Sequence, residues 1–564
     1  MPAISACVVG SGVSGIAALK ECVKQGFKPV CYELDSEVGG IWHRKNHTPT
    51  NTPAVWDNLI TNTSKFNDCY SDFPARQSDT MYLPAEDLCK YMKSAVEHFD
   101  LGKYIQFNTR VVKIRKTADH DQTGRWEVYT TKNGNEISGD DRAGRRVDDS
   151  LLAKCHKEIF DVVLVCTGYF KIPSYPDVPG AETFNGIVQH SFDYTSTKPY
   201  EDKNVLIVGN KFSALDIGGD ISNHAKQVYL ALGEGTWILP RSYARSQPYD
   251  FLLTRSVLHS KNRIIKINDI FIKMAETNLD HVTTGIRPSK PPLFTPVSLS
   301  DDVPLKLLSG KVKAYGRLIR IHNNDAYFQD GKVISGIDAI VYSTGFRPDL
   351  SFLDLEVIQE NGQMELYRMA FPLREKHHTL ALIGNTGTDA PAFILFETQA
   401  RFATLVMAGR YTLPSFDVMK ADVDLWNEHA FMRTGKYGSY FIATTLLSDC
   451  IAAEVGFYPF FWKVFFKSPR LAFRNIYGPI MTVQYRLVGP DNDWDSANKA
   501  CLSQYDEGCL AIRNMTIKKF SRPDINDYYQ NTLLALIKIS SVATITGVLF
   551  YKYKDLLTFI SNFV

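Results

Sequence analysis

Residues 6–15 read Ala-Cys-Val-Val-Gly-Ser-Gly-Val-Ser-Gly, so a short apolar run leads directly into three closely spaced glycines. The apolar run is typical of a buried parallel strand, and residues 16–24, rich in alanine and leucine, are compatible with a helix. A second apolar stretch, 28–32, ends at Glu33, which lies 23 positions after Gly10. Strand, glycine turn, helix, strand and acid in one βαβ unit predict a dinucleotide-binding domain. The alternative for the motif alone is a glycine turn that binds no ligand.

Each residue type in this turn has a physical role in cofactor binding. Gly10 permits a tight turn, Gly12 lets the backbone approach a pyrophosphate, and Gly15 allows the helix to pack closely on the strand. Free N–H groups and the positive end of the helix dipole hold the phosphate charge. Glu33 is placed to accept both ribose hydroxyls, which indicates FAD or NAD rather than NADP. The predicted contacts of this cofactor are Gly10, Ser11, Gly12, Val13, Ser14, Gly15 and Glu33, with a second backbone turn at Gly39, Gly40, Ile41 and Trp42.

A second turn of the same shape follows the apolar strand 204–208. Its three characteristic positions hold Gly209, Lys211 and Ala214, so only the first glycine is kept. Alanine is tolerated at the third position. Lys211 adds bulk where the backbone should approach phosphate, although its ammonium group could contact that phosphate instead. We interpret the segment as a second dinucleotide site, with a βα turn that binds nothing as the alternative.

Two further segments, 161–168 and 338–345, each contain an acid, a buried apolar strand and a final Thr-Gly pair. Such strands are typical of crossings between two nucleotide-binding units. Four strand–glycine junctions in this order predict an α/β fold with two Rossmann-like domains, as in a two-dinucleotide flavoprotein.

Composition excludes several other classes of protein. The chain has 564 residues, 45% of them hydrophobic, which is not typical of a disordered, collagen-like or disulfide-stapled protein. A formal net charge of +2 gives no electrostatic reason to expect nucleic acid as a partner. The ten cysteines include no C-x-x-C pair, so we predict no metal site and expect buried, reduced thiols. The first ten residues lack the basic and apolar regions of a signal peptide.

The C-terminal third differs from the nucleotide-binding part. Residues 456–467 combine aromatic side chains with lysines, which favours either a buried core segment or a patch at a membrane interface. Residues 532–551 are mostly apolar and long enough to span roughly 30 Å of hydrocarbon. Because Lys538 and two serines interrupt this run, a monotopic embedded helix and a soluble core helix are the alternatives to a full span.

Over nearly its whole length the chain resembles the flavin-containing monooxygenase family. The most specific block is 184–194, which fits the pattern F-x-G-x-x-x-H-x-x-x-F/Y. It ends in Tyr194, where the related Baeyer–Villiger enzymes usually have Trp, and this favours oxygenation of heteroatoms over ketones. The other blocks are 10–15 with Glu33, 39–42, 61–65 (Thr-Asn-Thr-Ser-Lys), 396–401 (Phe-Glu-Thr-Gln-Ala-Arg) and 485–490 (Tyr-Arg-Leu-Val-Gly-Pro).

The resemblance implies the chemistry and some of the site residues. In the family, a reduced nicotinamide reduces FAD, and the reduced flavin captures O₂ as a C4a-hydroperoxide that oxygenates a soft nucleophile. Asn62 matches the family residue beside flavin and nicotinamide and is the predicted catalytic residue, with Thr61 and Thr63 at the cofactor. His190 is expected to influence domain placement rather than to transfer protons. The implied NADPH contacts are Gly209, Lys211, Ser213, Ala214, Leu215 and Asp216.

The residues after the strand 228–232 bear on the choice of nicotinamide. Gly233 stands where many relatives have the arginine that binds the 2′-phosphate, and Glu234 would repel that group. Lys211 and Arg241 are candidate compensating charges. We therefore predict NADPH use with weakened discrimination, and NADH use is left open.

The predicted organisation is discontinuous. The expected segments are 1–170 (first part of the FAD domain), 171–331 (the nicotinamide domain, with a helical insertion at about 242–300), 332–445 (second part of the FAD domain), 446–530 (substrate access and membrane association) and 531–564 (a C-terminal membrane anchor).

The predicted function is an NAD(P)H- and O₂-dependent flavin monooxygenase of nitrogen- or sulfur-containing xenobiotics or metabolites. The alternatives are Baeyer–Villiger oxygenation, an uncoupled NADPH oxidase that releases H₂O₂, an NADH:quinone reductase and a non-catalytic membrane protein. The resemblance further implies an endoplasmic reticulum membrane location with the catalytic domains facing the cytosol, and membrane lipid as a partner through the C-terminal helix. Assembly into a homo-oligomer is left open.

Overall fold

The computed structural model describes residues 3–43, 53, 55–132, 152–243, 247–295, 297–388, 391–435 and 441–508. Its helices are α1 Val13–Lys24, α2 Ala85–His98, α3 His120–Thr123, α4 Phe212–Ile221, α5 Arg255–Leu258, α6 Arg263–Asn278, α7 Val303–Leu308, α8 Ala392–Met407, α9 Phe416–Thr434, α10 Thr444–Val455, α11 Phe461–Phe465, α12 Pro469–Tyr477 and α13 Trp494–Gly508. Short 3₁₀ helices include Gly40–Trp42, Gly102–Tyr104, Tyr249–Leu252 and Thr482–Arg486.

The strands are β1 Ser5–Val9, β2 Lys28–Tyr32, β3 Ile105–Gln106, β4 Thr109–Lys116, β5 Trp126–Lys132, β6 His156–Phe160, β7 Val162–Val165, β8 Ile172–Pro173, β9 Ile187–His190, β10 Asn204–Val208, β11 Gln227–Ala231, β12 Trp237–Leu239, β13 Ser242–Tyr243, β14 Gln247–Pro248, β15 Val297–Leu299, β16 Val312–Tyr315, β17 Leu318–His322, β18 Asp325–Phe328, β19 Val333–Ile334, β20 Ala339–Tyr342, β21 Phe346–Arg347, β22 Leu366–Tyr367, β23 Phe371–Pro372, β24 Leu380–Leu382, β25 Gly387–Thr388 and β26 Phe441–Ile442.

The first parallel sheet is built around β1, with strand order β24-β7-β1-β2-β3. Val8 lies opposite Cys31 of β2 and Leu164 of β7, so the apolar run that opens the sequence is the central strand. Its residues 6–9 are buried, as expected for a continuous apolar run in a parallel sheet that is covered on both faces. The glycine turn leaves from its carboxyl end and leads into α1, as the sequence predicts.

The second parallel sheet repeats this plan around β10, with strand order β16-β11-β10-β20-β9. Leu206 lies opposite Tyr229 of β11 and Ile340 of β20, and α4 follows the central strand. Two Rossmann-like α/β sheets are therefore present, and the fold predicted from the four strand–glycine junctions is confirmed. Ligands in such sheets bind at the carboxyl ends of the strands, where the strand order reverses.

The chain passes between the two sheets twice, after β7 and after β20. Residues following β7 and β20 form the short antiparallel ribbon β8–β21, in which Pro173 lies opposite Phe346. Because β20 is hydrogen-bonded within the second sheet, the chain returns to the first sheet after Arg347 rather than at the predicted residue 332. The returning chain re-enters the first sheet as β24, beside β7.

A buried ionic cluster attaches the C-terminal region to the first cofactor helix. The Lys20 ammonium group of α1 lies 2.6 Å from carboxylate oxygens of Glu21 and Glu397, and Arg486 Nη2 lies 2.8 Å from Glu21 and 3.0 Å from Glu397 and from Asp72. The surrounding cations hold the pKa of Glu21 and of Asp72 well below the usual range. The cluster brings the distant blocks 396–401 and 485–490 into contact through Glu397 and Arg486.

Of the two predicted membrane segments, only the aromatic one, 456–467, lies within the described residues. Residues 532–551 lie outside the described residues. Within the described ranges, no helix is both long enough and apolar enough to span a membrane. In the aromatic segment 456–467, Phe457 and Val464 are buried, whereas Trp462 and Phe466 are 64% and 83% exposed. The segment is therefore only partly a core segment.

Candidate functional site

The first glycine turn has the geometry that a dinucleotide requires. Gly10 has φ +97°, which favours glycine, and a Cβ at Gly15 would lie 1.9 Å from the Gly10 carbonyl oxygen. A Cβ at Gly40 would lie 3.1 Å from Gly12 Cα, so two glycine backbones approach each other beside the turn. Gly12 is also the N-cap of α1 and has no side chain to cap the first-turn N–H groups. These groups and this space fit a bound pyrophosphate.

Glu33 lies at the end of β2, next to the turn, and is buried. Its Oε2 accepts hydrogen bonds from the backbone N–H (2.6 Å) and the hydroxyl (2.7 Å) of Ser11, and its Oε1 accepts one from the Asp35 N–H (2.8 Å). A carboxylate offers about four acceptor positions, so one remains for a ribose hydroxyl. Glu33 therefore orders the turn as well as facing the predicted ribose position.

The second turn keeps the backbone geometry despite its altered residues. Gly209 has φ +150°, and a Cβ there would lie 2.4 Å from the Ser343 carbonyl oxygen. Lys211 is the extended N-cap of α4, and burial, together with the nearby Arg433, lowers the pKa of its amine to about 8. Below that pH the amine is in its ammonium form. The side chains of Ala214 and Leu215 are buried in the core of the second sheet.

Asn62 is half-buried and is tied to the second dinucleotide helix through an arginine. Arg241 Nη2 donates to Asn62 Oδ1 (2.9 Å) and to Asp216 Oδ1 (3.3 Å), and Arg241 Nη1 donates to Asp301 (3.3 Å). Among the described residues, nothing accepts a hydrogen bond from the Asn62 amide nitrogen. Asn62 is therefore oriented through its oxygen, and its N–H₂ group is available to a ligand.

The loop that carries Asn62 also contacts the first cofactor helix. Tyr70 on this loop donates its hydroxyl to the Val13 carbonyl (2.9 Å) in the first turn of α1. Upstream on the same loop, Asn58 donates to Asp220 of α4 (2.8 Å). One loop thus connects both dinucleotide-binding helices, and Asn62 lies between these two contacts in the chain.

Thr61 and Thr63 have structural partners within this loop. Thr61 Oγ1 accepts from the Leu83 N–H and donates to the Thr63 carbonyl, both at 3.0 Å. Thr63 Oγ1 donates to Asp68 (2.7 Å). Their side chains hold the turn.

The two linker residues singled out in the sequence are buried near the junction of the sheets. His190 Nδ1 accepts a hydrogen bond from the Phe192 N–H (3.0 Å), and burial lowers the His190 pKa to about 4, so the ring is neutral near pH 7. Its ring lies 5.1 Å from that of Phe346 in the ribbon between the sheets. Tyr194 donates to Asp220 (2.6 Å) and packs against Trp56. The role of His190 in domain placement stays a prediction.

Part of this site gives no signal in the sequence. Arg241 is predicted there only as a candidate charge for the 2′-phosphate, whereas its guanidinium group is engaged by Asn62, Asp216 and Asp301. Asp250, which contacts the Asn62 loop, is not among the predicted site residues. Neither residue belongs to a spacing pattern that signals this, because Asp250 lies in an insertion without a nucleotide-binding motif and Arg241 immediately precedes that insertion.

Comparison with known proteins agrees with this geometry. A family model described as flavin-binding monooxygenase-like matches residues 3–546. Dimethylaniline monooxygenase (N-oxide-forming) 2 of Mus musculus is 34% identical over 519 residues, which is 91% of this chain and 93% of the mouse protein. Flavin-containing monooxygenase 2 of Homo sapiens is 32% identical over 548 residues, 95% of this chain and 97% of the human one.

Solved structures share the fold at lower identity. The S-allyl-L-cysteine S-oxygenase of Allium sativum superposes with a TM-score of 0.57 at 19% identity, over 90% of this chain and 99% of that one. Cyclohexanone monooxygenase from Rhodococcus, bound to NADP⁺, superposes with a TM-score of 0.55 at 14% identity, over 80% and 97% of the two chains. The extent of the family match and the curated relatives, together with two glycine turns joined by the Asn62 loop, lead to one conclusion: the chain belongs to the flavin-binding monooxygenase-like family.

Proposed function

We propose that this protein is an NADPH- and O₂-dependent monooxygenase that transfers one oxygen atom to nitrogen or sulfur in small soft nucleophiles. In the overall reaction, substrate, O₂, NADPH and a proton yield oxygenated substrate, NADP⁺ and water. Bound FAD would supply the oxygen chemistry, while the protein orients both cofactors and excludes water. The Gly10–Gly15 turn and Glu33 would hold FAD, and the Gly209–Ala214 turn would hold NADPH.

The observation that carries this proposal is the position of Asn62. Its amide oxygen is held by Arg241, which also contacts Asp216 in the second dinucleotide helix, and its loop contacts the first helix through Tyr70. An amide donor fixed between two dinucleotide sites can stabilise negative charge that develops on an oxygen there. Heteroatom oxygenation is favoured over ketone oxygenation by Tyr194 and by the N-oxide-forming activity for which the mouse relative is named.

The test uses purified full-length protein with NADPH, O₂ and either N,N-dimethylaniline or a simple thioether. We expect N-oxide or sulfoxide in an amount close to the NADPH consumed. Lactone formation from cyclohexanone alone would indicate the Baeyer–Villiger alternative, and H₂O₂ alone an uncoupled oxidase. Quinone reduction without oxygenation would indicate a reductase, and colourless protein silent with NADPH would favour a non-catalytic role.

We further propose that Arg317 supplies the positive charge for the NADPH 2′-phosphate, while Glu234 weakens discrimination against NADH. The Gly233 N–H donates to the Gly316 carbonyl (3.3 Å), which brings the next residue, Arg317, to the end of β11. There Arg317 Nη2 donates to Glu234 Oε1 (2.7 Å), and both side chains are exposed. A 2′-phosphate could compete for this guanidinium group, whereas a 2′-hydroxyl could be accepted by the carboxylate.

Arg317→Ala is expected to lower kcat/KM for NADPH about tenfold and to leave kcat/KM for NADH nearly unchanged, because one charge-assisted phosphate contact is lost. Glu234→Gln should raise the NADPH-to-NADH preference. Steady-state kinetics with both nucleotides measure these ratios. The neighbouring exposed Arg320→Ala is the control. A strong NADPH preference that neither Arg317 nor Glu234 affects would contradict the proposal.

We also propose that the protein associates with the endoplasmic reticulum membrane, with its catalytic domains on the cytosolic side. In support, five large aromatic side chains on or directly beside α11 and α12 are exposed, here together called the aromatic face: Phe460, Trp462, Phe466, Phe473 and Tyr477. The same segment, 456–478, contains four basic residues and no acidic one. Exposed aromatics beside lysine and arginine suit the headgroup region of anionic lipid. The apolar residues 532–551 would provide a second anchor.

Two sets of variants separate these anchors. Deleting residues from Asn531 onward is expected to shift part of the protein from the membrane pellet to the soluble fraction. In the deleted protein, Trp462→Ala with Phe466→Ala should weaken binding to anionic vesicles at least about tenfold, since each aromatic loses its apolar contact. Phe416→Ala, which removes an exposed aromatic from α9, is the matched control. Unchanged vesicle binding by the double variant would exclude the aromatic face.

A further inference from the structure

The loop that carries Asn62 is held from outside by a carboxylate of the insertion. Asp250 Oδ2 accepts hydrogen bonds from the Ser64 backbone N–H (3.0 Å), the Ser64 hydroxyl (2.8 Å) and Asn67 Nδ2 (2.8 Å). Ser64 lies two residues after Asn62. Ser64, Asn67 and Asp250 are all buried, so water does not compete effectively for these bonds.

Asp250 and Arg241 lie at the two ends of one hairpin. The strands β13 and β14 pair antiparallel, and the Tyr249 N–H donates to the Arg241 carbonyl (2.9 Å), which closes the base of the hairpin. From this base, Arg241 holds the side chain of Asn62 and Asp250 holds the backbone that follows it. The hairpin thus contacts the Asn62 turn at two independent points.

The burial of Asp250 is costly, and among the residues that the structure describes no cation forms an ion pair with it. Its hydrogen-bond partners are neutral, and within the described residues its Oδ1 has no hydrogen-bond partner. A second buried carboxyl, Asp68, accepts from Thr63 (2.7 Å) on the same turn and likewise has an unpartnered Oδ2. A buried carboxylate without a counter-ion destabilises a fold, so its presence beside Asn62 indicates a functional constraint.

We propose that Asp250 is a positioning residue for oxygen transfer: with Arg241, it fixes the orientation of the Asn62 turn relative to the second dinucleotide helix. This inference rests on the proposed monooxygenase function. In this proposal the insertion helps to position the Asn62 turn. Asp250 acts through its hydrogen bonds to the turn and does not itself contact substrate or cofactor.

The pH dependence of the site follows from the groups that surround Asp250. Burial and the proximity of Asp250 raise the Asp68 pKa to about 8, and burial raises the pKa of Asp250. The other charged or titratable groups nearby are Tyr82, whose hydroxyl donates to the Arg241 carbonyl, Arg241 itself, Asp301, and Lys65, whose ammonium group donates to backbone carbonyls. As pH rises through about 8, Asp68 ionises, and its negative charge beside the buried Asp250 carboxyl disfavours the arrangement of the turn.

The test measures product formed per NADPH consumed in full-length FAD-loaded protein, with flavin reduction by NADPH as a separate readout. Asp250→Ala is expected to keep FAD and to reduce its flavin within about threefold of the unmodified rate, while product per NADPH falls about tenfold or more and H₂O₂ rises. Asp250→Asn, which keeps an acceptor oxygen, should restore most of the yield. Asp280→Ala removes an exposed carboxylate that closes its own loop in the same insertion and is the control.

A double-mutant cycle with Asn62→Ala tests whether Asp250 acts through Asn62. We expect Asp250→Ala to add little in the Asn62→Ala background, because the oriented group is already absent. Independent, multiplying effects would overturn the inference, as would an unchanged yield in Asp250→Ala. Failure of the unmodified protein to reduce its flavin with NADPH, or to oxygenate any substrate, would instead contradict the proposed function.

If Asp250→Ala does not fold, the inference is tested with Asp250→Asn, by measuring product formed per NADPH consumed as a function of pH. The yield of the unmodified protein should decline as pH rises through about 8, where Asp68 ionises beside Asp250. In Asp250→Asn the decline should begin at a lower pH, because the proximity of Asp250 is one of the causes that raise the Asp68 pKa. Identical profiles in the two proteins would overturn the inference.

Discussion

Gly15→Ala protein is expected to accumulate without FAD and to have no measurable oxygenase activity. A Cβ at this position would lie 1.9 Å from the Gly10 carbonyl oxygen and 2.7 Å from the Gly10 carbonyl carbon. Gly10 cannot retreat, because its own α-carbon faces the Cys166 carbonyl, which would lie 2.9 Å from a Cβ built there. Helix α1 would have to move away from β1, carrying with it the N–H groups that face the pyrophosphate. Such overpacking costs about 1–3 kcal/mol or more, and the cofactor is lost first.

The measurement is the ratio of flavin to protein absorbance after purification, repeated after incubation with excess FAD. We expect a decrease of at least about tenfold, with secondary structure retained by circular dichroism, in line with a local clash in one turn. Gly102→Ala is the matched control, because nothing lies within 4 Å of a Cβ built at that position. A Gly15→Ala protein with a full complement of FAD would show that this turn does not hold the flavin.

Asn62→Ala is expected to keep FAD but to lower product formed per NADPH about a hundredfold, the typical loss when one preorganised donor to a developing oxyanion is removed. The Asn62 amide nitrogen is the donor in question, since its oxygen is engaged by Arg241. Asn62→Asp retains an acceptor for Arg241 but removes the N–H₂ group. If the amide N–H₂ group is the required donor, this variant should lower product formed per NADPH as much as Asn62→Ala does.

Both variants are compared with Asn58→Ala. Asn58 lies four residues earlier on the same loop and donates to Asp220 of α4, so its removal perturbs the loop without removing the proposed donor. Reduction of the flavin by NADPH should be nearly unchanged in all three proteins. Full coupling in Asn62→Ala would contradict the assignment of Asn62 and leave the cofactor sites unaffected.

The arrangement around Asn62 explains how an insertion can influence chemistry that the cofactors supply. The two dinucleotide turns are separate βαβ units, and each would bind its cofactor independently. Their relative placement matters only where both cofactors meet, and there the contacts come from Arg241 and Asp250 of the hairpin. We expect substitutions in this hairpin to change the yield of product more than the binding of either cofactor.

Much of the fold could be predicted from the sequence because its deciding signals are local. A buried strand, a glycine turn and a helix are contiguous in the chain, and both Gly10–Gly15 and Gly209–Ala214 occupy the predicted turns. The crossing strands at 161–168 and 338–345 were also recognisable from their apolar runs and Thr-Gly ends. The return point to the first sheet was misplaced, because β20 is equally apolar whichever sheet receives it.

The family blocks near residues 397 and 486 illustrate the limit of such reasoning. In the sequence these blocks resemble the family but have no assigned role. In the structure, Glu397 and Arg486 lie in one buried ionic cluster with Lys20. Charges buried in this way require partners with close geometry, and those partners come from three distant parts of the chain.

The two nucleotide-binding units can be predicted from the sequence because each follows from residues that are contiguous in the chain, whereas the role of Asn62 and the use of FAD with a nicotinamide follow from the family resemblance. Only the tertiary structure decided which side chains hold Asn62, that Arg241 is engaged with Asp216 rather than left for a 2′-phosphate, and that Arg317 reaches Glu234. These contacts join residues from 25 to 186 positions apart. Local patterns carry no information about them, because they depend on how two sheets and an insertion dock, and docking is set by the whole packed core.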